Sequence, residues 1–516
     1  MPRVIGRVGV ILLLLVLTAC SAGPSDRPAV AYRDDGNSGA RTPRNSEPRT
    51  VPPLGPSSHN ALDWSDCTAA TKSELDSSHS PGDMRFSCTS LLTSTDPPGA
   101  VRGGTTRIAL LTAGSGDVPL VVVNDIRGAP GTTFAARLAT RLPERMLREF
   151  RIIGMDRRGT GDSDPANCVP EREREAITRF DSRATDDAAL DGLLESVRTA
   201  SQKCLLELER RAQTYDTRHA SNDLEELRLQ LGVPRLHAIG RGEGSRVLSV
   251  YARDYPNNVG RMVFDGAPDP TLKTLAQLKR RADGAERTFD VFAATCRDAD
   301  ECALGDSPRQ RLDSLIERTR GQALPTDGGA PLTSGELTRA VLHGLGNRDD
   351  WPRLTRAIAA AEDGDGSALA GFIRNSEVGA DRLGQRMVTR CNDTMLRLPP
   401  ERARDIAEEW VDSRPLFGGV FAQRLIRCST WPRPQQAMPS PGNGRLPRIP
   451  VIATENDPLT PATGSENMAA TLPNGSKVSW LGSGRGALGR SDCVTELVSG
   501  FLVEGEVPPR DAACPA

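Results

Sequence analysis

Histidine is scarce in this chain: five residues of 516, at His59, His79, His219, His237 and His343, with none after His343. A chemistry that needs an imidazole base late in the chain has none to use. No CxxC pair occurs and the histidines are scattered, so a zinc site is excluded and no cofactor is expected. Neither sign of charge is in excess. Lys plus Arg number 65 against 67 Asp plus Glu, a formal net charge of −2, so the broad basic surface that nucleic acid requires is missing. Aromatic residues are only 4%. Glycine (49) and proline (39) are plentiful, which suits a loop-rich α/β protein or one with a disordered segment. The length permits one large domain with an insertion, or two or three ordinary domains.

The amino-terminal end carries Arg3 and Arg7, an apolar run from Val8 to Leu17, then Leu17-Thr18-Ala19-Cys20. Ten residues are about half of the roughly twenty that span a bilayer. Basic start, short apolar run and small residues before a cysteine predict a lipoprotein signal over 1–20, with diacylglycerol on Cys20. Two acyl chains suffice for stable anchoring. The protein is therefore expected outside the cytoplasm, on the membrane. Residues 21–60 are dominated by Ser, Gly, Pro, Arg and Asp and are expected to form a disordered tether.

Ten cysteines remain beyond Cys20, an even number that favours disulfides in an oxidising compartment. Pairing neighbours along the chain would give Cys67 with Cys88, Cys168 with Cys204, Cys296 with Cys302, Cys391 with Cys428 and Cys493 with Cys514. Non-reducing peptide mapping would settle the connectivity.

From near Trp64, short apolar runs alternate with helical patterns. Residues 119–123, 151–155, 236–239, 262–264, 450–453 and 477–481 read as buried parallel strands. The leucines at 224, 227 and 231 mark one of the helices between them. Strand and helix in alternation predict a doubly wound, mostly parallel α/β sheet. Between about Thr271 and Met438 the pattern is helical throughout. The expected layout is a core first part over 61–270, a helical lid over 271–440 and a core second part over 441–516.

In such a sheet, ligands sit outside the carboxyl ends of the strands. After the 119–123 strand stands Gly128-Ala129-Pro130-Gly131; after the next, Asp156-Arg157-Arg158-Gly159-Thr160-Gly161-Asp162-Ser163. The helix from Asp223-Leu224 to Leu231-Gly232, Asp265-Gly266, Asp457-Pro458-Leu459-Thr460-Pro461 and Ser491-Asp492-Cys493-Val494 follow in order, with Trp64, Cys67 and Cys88 ahead and Cys514 behind. Together these resemble the tripeptidyl aminopeptidase and proline iminopeptidase group of α/β-hydrolases, with its TAP-like carboxyl-terminal region. The resemblance implies an α/β-hydrolase fold, a peptidase ancestry, an oxyanion-like loop at Gly128, Ala129 and Gly131 completed by Glu243, and a catalytic acid at Asp457.

The resemblance fails at two positions. An α/β-hydrolase elbow reads G-x-S-x-G. This chain reads Gly240-Arg241-Gly242-Glu243-Gly244, so the nucleophile position is Gly242 and has no side chain. Ser245 is one turn into the helix, where a structural hydroxyl is expected. The family's histidine follows its aspartate between glycines, and Gly484-Arg485-Gly486 stands there instead. A protonated arginine cannot act as a general base. Arg485 could form an ion pair with Asp457 in place of the His–Asp bond, while Asp457 before Pro458 could equally serve a turn. His219 and His237 are expected to be structural. The leading expectation is a catalytically inactive lipoprotein that binds a peptide, another small ligand or an envelope protein. The alternatives are an active exopeptidase or esterase that uses displaced residues, and a structural envelope protein with its lid collapsed on the elbow.

Overall fold

The computed structural model describes residues 51–57, 61–75, 79–96, 104–327, 329–374, 382–442 and 446–516. The lipoprotein signal, Cys20 and most of the tether lie outside them.

The described residues form one ten-stranded sheet: β1 (Ser65–Asp66), β2 (Phe86–Ser94), β3 (Thr105–Ala113), β4 (Val118–Val123), β5 (Phe150–Met155), β6 (Leu236–Arg241), β7 (Val259–Asp265), β8 (Ile449–Asn456), β9 (Gly475–Ser483) and β10 (Ala512–Cys514). Their order is β1-β2-β3-β5-β4-β6-β7-β8-β9-β10. Every pair from β5 through β10 is parallel, and β1, β2 and β3 form an antiparallel lead-in. All residues of β4 and β7 are buried, as strands covered on both faces must be; β4 is wholly apolar, and β7 is apolar over Met262–Phe264 between Arg261 and Asp265. The six parallel strands expected from sequence fall on β4 to β9. The lead-in strands went unread, because β2 and β3 mix Thr, Ser and Arg into their apolar positions.

Chain order reverses direction at β4, with β5 on one side and β6 on the other. A crevice opens at such a switch point, outside the carboxyl ends of the two diverging strands. Those ends are Asn124-Asp125 after β4 and Arg241-Gly242 after β6.

Between β7 and β8 the chain is helical, from Thr274–Arg297 through Gly418–Ile426, with one bridge between Leu324 and Leu332. These helices share their own apolar core, which includes Phe289, Phe292, Trp351, Trp410 and Phe421. The lid also draws on the first part of the core. Helices Glu171–Arg179 and Asp187–Leu208 supply Ile177, Leu193 and Val197 to a cluster with Met387, Val388, Cys391 and Trp431 of the lid. Residues 51–57, expected to belong to the tether, pack on the body instead. Val51 and Leu54 pack against the apolar cluster that includes Val118, Phe501 and Leu502, and the Pro52 carbonyl accepts from Arg261 Nε at 2.9 Å. The five disulfides join neighbouring cysteines in sequence, and each staples a local loop.

Candidate functional site

Glycine is required at the elbow by backbone approach. Gly242 adopts φ 57° and ψ −122°, a region that side chains disfavour. A Cβ on Gly244 would lie 2.0 Å from the Val123 carbonyl oxygen, and one on Gly240 would lie 2.7 Å from Ser245 Cα. β6 can therefore turn into the helix Glu243–Asp254 only through this glycine frame. Gly242 N–H donates to the Asp265 carbonyl at 2.9 Å. Ser245 is fully buried and its Oγ donates to the Gly240 carbonyl at 2.8 Å, the structural role expected of it.

At Gly242 the nucleophile's space is occupied. A Cβ built there would meet Asp125 Oδ2 at 2.6 Å. Asp125, 2% exposed, accepts from the Arg127 backbone N–H at 2.9 Å, from Arg127 Nε at 3.3 Å and Nη2 at 3.0 Å, and from Arg485 Nη2 at 3.0 Å. Burial alone would raise its carboxyl, but Arg127 and Arg485 outweigh that and hold it well below the usual carboxylate range.

Arg485 thus pairs with Asp125, and the pair with Asp457 expected from sequence does not form. Asp457 is already satisfied by its own turn. Its Oδ1 accepts from the amides of Leu459 at 2.7 Å and Thr460 at 2.8 Å, and its Oδ2 accepts from Thr460 Oγ1 at 2.6 Å. Burial pushes its carboxyl upward, with the Thr460 contacts acting the other way. Of the two roles open to Asp457, the turn role is the one its bonds serve.

The Gly484-Arg485-Gly486 loop is held from below and above. Arg241 crosses beneath it, donating to the carbonyls of Arg485 at 2.8 Å and Leu488 at 3.2 Å while paired with Asp265 at 2.8 Å. A Cβ on Gly486 would come within 2.4 Å of that guanidinium, so the position needs glycine. From the lid, the Gly346 carbonyl accepts from Arg485 N–H and from Arg490 Nη1, both at 2.8 Å.

In the loop that resembles an oxyanion hole, the Gly128 amide is spent closing a turn onto the Asp125 carbonyl at 2.8 Å, and the Ala129 carbonyl accepts from Asn124. Gly131 opens the helix Gly131–Ala139, where a Cβ would strike the Met155 carbonyl at 1.9 Å. Glu243 opens the elbow helix, and its side chain pairs with Arg281 of the lid and with Arg246 at 3.3 Å. Burial would raise the Glu243 carboxyl, but Arg246 and Arg281 hold it at about 2. A small pocket beside Asp125 is lined by Ile126, Gly128, Arg157, Thr160 and Gln385.

His219 and His237 are engaged elsewhere. His219 Nδ1 lies 2.8 Å from the helix-capping Asp216, and His237 Nδ1 accepts from the Arg261 amide at 2.9 Å. Sequence reasoning missed Asp125 and Arg127, and it named Arg241 and Asp265 within motifs without giving them a role. The signal for the first two was present: a buried apolar strand running into Asn-Asp-Ile-Arg puts a charged pair at the carboxyl edge, where ligands or their replacements sit.

Comparison with known proteins agrees with this geometry. The family described as TAP-like protein matches residues 414–514. The serine protease Hip1 of Mycobacterium tuberculosis is 25% identical over 418 residues, covering 75% of this chain and 79% of that protein. Carboxylesterase B of the same species is 23% identical over 447 residues, covering 81% and 84%. The tripeptidyl aminopeptidase of Streptomyces lividans is 23% identical over 407 residues, covering 75% of each. The mostly parallel sheet, the glycine-framed elbow at the switch point and the order of these motifs give the chain an α/β-hydrolase fold, and residues 414–514 form a TAP-like region at its carboxyl end.

Proposed function

We propose that this protein is a non-catalytic member of its family, anchored at the cell envelope through lipid on Cys20, and that it uses the former catalytic cleft to bind a ligand. The observation that carries the reading is the Asp125 carboxylate, which stands where the nucleophile's side chain would start and is fixed there by Arg127 and Arg485. Loss of triad members costs about a millionfold in serine hydrolases and leaves roughly a thousandfold over water. Two of the three positions have lost their group here, and the third, Asp457, spends both oxygens on a turn.

Thermal unfolding of the purified full-length protein across a library of short peptides and small metabolites tests the binding function. Ligand-dependent rises in Tm support it, and a flat response across the whole library contradicts it. A second reading, a structural envelope protein with no pocket function, draws on the small size of the space left beside Asp125. That reading requires the flat response.

A further inference from the structure

We propose that the closed cleft is a receptor for a small anion, one that presents carboxylate or phosphate oxygens to Arg127, Arg281, Arg390 and Arg424. The inference deepens the binding function proposed above and rests on it.

These four guanidiniums come from four distant stretches of chain. Arg127 belongs to the loop after β4, and the others project from the lid helices Thr274–Arg297, Leu383–Asn392 and Gly418–Ile426. They converge closely enough to feel one another. Arg424 is held well below the usual guanidinium range, first by burial and then by Arg390, Arg127, Arg427 and Arg281. Arg390 is pushed to about 9 by burial and then by Arg127 and Arg281, with Glu243 opposing.

The local carboxylates are already taken. Asp125 is divided between Arg127 and Arg485, and Glu243 between Arg281 and Arg246. Three carboxylates, Asp125, Glu243 and the turn-bound Asp457, therefore face seven guanidiniums, those of Arg127, Arg246, Arg281, Arg390, Arg424, Arg427 and Arg485. Donors are left over as a result. Arg127 is 4% exposed, and its Nη1 is buried without a partner among the described residues. Arg424 Nη1 is likewise buried and unpartnered, and the guanidinium rests 4.2 Å above the Phe421 ring. The Arg390 side chain makes no hydrogen bond or ion pair among the described residues. Arg390 and Arg424 are each half-buried rather than sealed in the core.

An uncompensated buried charge is among the costliest features a fold can carry. Planar guanidinium forks match carboxylate and phosphate oxygens, and a low-dielectric pocket lined with one sign of charge concentrates the opposite ion. An anion entering the cleft would supply the missing acceptors.

The test uses purified full-length protein at pH 7 and constant ionic strength, with sodium phosphate and sodium citrate compared against sodium chloride. Titration calorimetry and thermal unfolding are read together. The expected result is saturable binding of at least one of the two anions, with Tm raised by at least about 2 °C over chloride. Phosphate alone would assign a phosphoryl ligand, and citrate alone a carboxylate ligand. Arg424→Met and Arg390→Met are each expected to weaken that binding at least about tenfold, in line with loss of a charge-assisted bond. In chloride each variant should melt no lower than the parent, because a charge without a carboxylate partner has gone. Two variants guard against one failing to fold. Absence of saturable binding by both anions, or parental affinity in the folded variants, overturns the proposal. If uncharged peptides raise Tm while these anions do not, the anion assignment falls and the binding function stands.

Discussion

Arg485, at the position where the family carries its histidine, donates to Asp125 at 3.0 Å, and Asp125 in turn fills the space above Gly242. One ion pair therefore closes two vacancies of the catalytic site at once. Asp125 also anchors Arg127, so removing it strands two cations. Asp125→Ala is expected to cost about 3–5 kcal/mol, the range for breaking a buried pair from one side. Arg485→Ala should cost less, because Arg127 still neutralises Asp125. In a double-mutant cycle, Asp125 and Arg485 should couple by about 1 kcal/mol or more, while Asp457 and Arg485 should be additive to within about 0.5 kcal/mol. Urea unfolding of the three single and two double variants measures both, and the reverse pattern would move the pair back to Asp457.

Restoring the nucleophile alone should fail. Gly242→Ser places a Cβ 2.6 Å from Asp125 Oδ2 and forces a side chain onto φ 57°. Overpacking and backbone strain together predict a loss of about 1–3 kcal/mol without hydrolytic activity. Thermal unfolding and an esterase assay on this single variant check both parts. A stable, active Gly242→Ser protein would show that Asp125 yields the site readily.

Two buried groups give opposite pH dependences. Burial, with Arg261 and Arg235, lowers His237 to about 4, and burial, with Asp216, raises Asp393 to about 6. Between about pH 4 and 6.5 the unfolded chain binds a proton at His237 that the folded chain does not, so this group makes stability rise with pH. Between about pH 4 and 6 the folded chain holds a proton at Asp393 that the unfolded chain releases, so this group makes stability fall with pH. Each effect is worth about 3 kcal/mol at about 1.4 kcal/mol per unit, and they nearly cancel. The measurement is the slope of stability against pH from 4 to 6. It should turn negative in His237→Gln and more positive in Asp393→Asn. Unchanged slopes in both variants would contradict the assignment.

The lid staple should matter more than the small one. Cys391 and Cys428 enclose a separation of 37 residues, and Cys296 and Cys302 one of 6. Loop-closure entropy makes the longer link about 1.5 kcal/mol more stabilising. Paired serine substitutions at each bridge should lower Tm in that order, and the opposite order would contradict the entropic account.

The sheet was legible from sequence wherever burial forced apolar runs, as in β4 and in Met262–Phe264 of β7, and illegible where one face is polar, as in β2 and β3. The elbow was legible because its glycines answer to backbone contacts that any member of the fold must make. Asp125 was not. Its role depends on the meeting of loops 117 and 360 residues apart in sequence, from Asp125 to Gly242 and to Arg485, and no local pattern encodes that. The helices at 171–208 looked like core because they precede β6, yet their apolar faces match the lid's Met387 and Trp431. Residues 51–57 looked like tether because two apolar side chains, Val51 and Leu54, among prolines give no periodic signal.

The central claim, that the cleft no longer performs hydrolysis, is tested most directly by turnover of chromogenic aminoacyl, tripeptidyl and ester substrates by the purified full-length protein and its Ser245→Ala variant. The account predicts no rate above the uncatalysed background for either protein. Turnover well above background that persists in Ser245→Ala would reveal a catalytic group outside the residues considered and contradict the account.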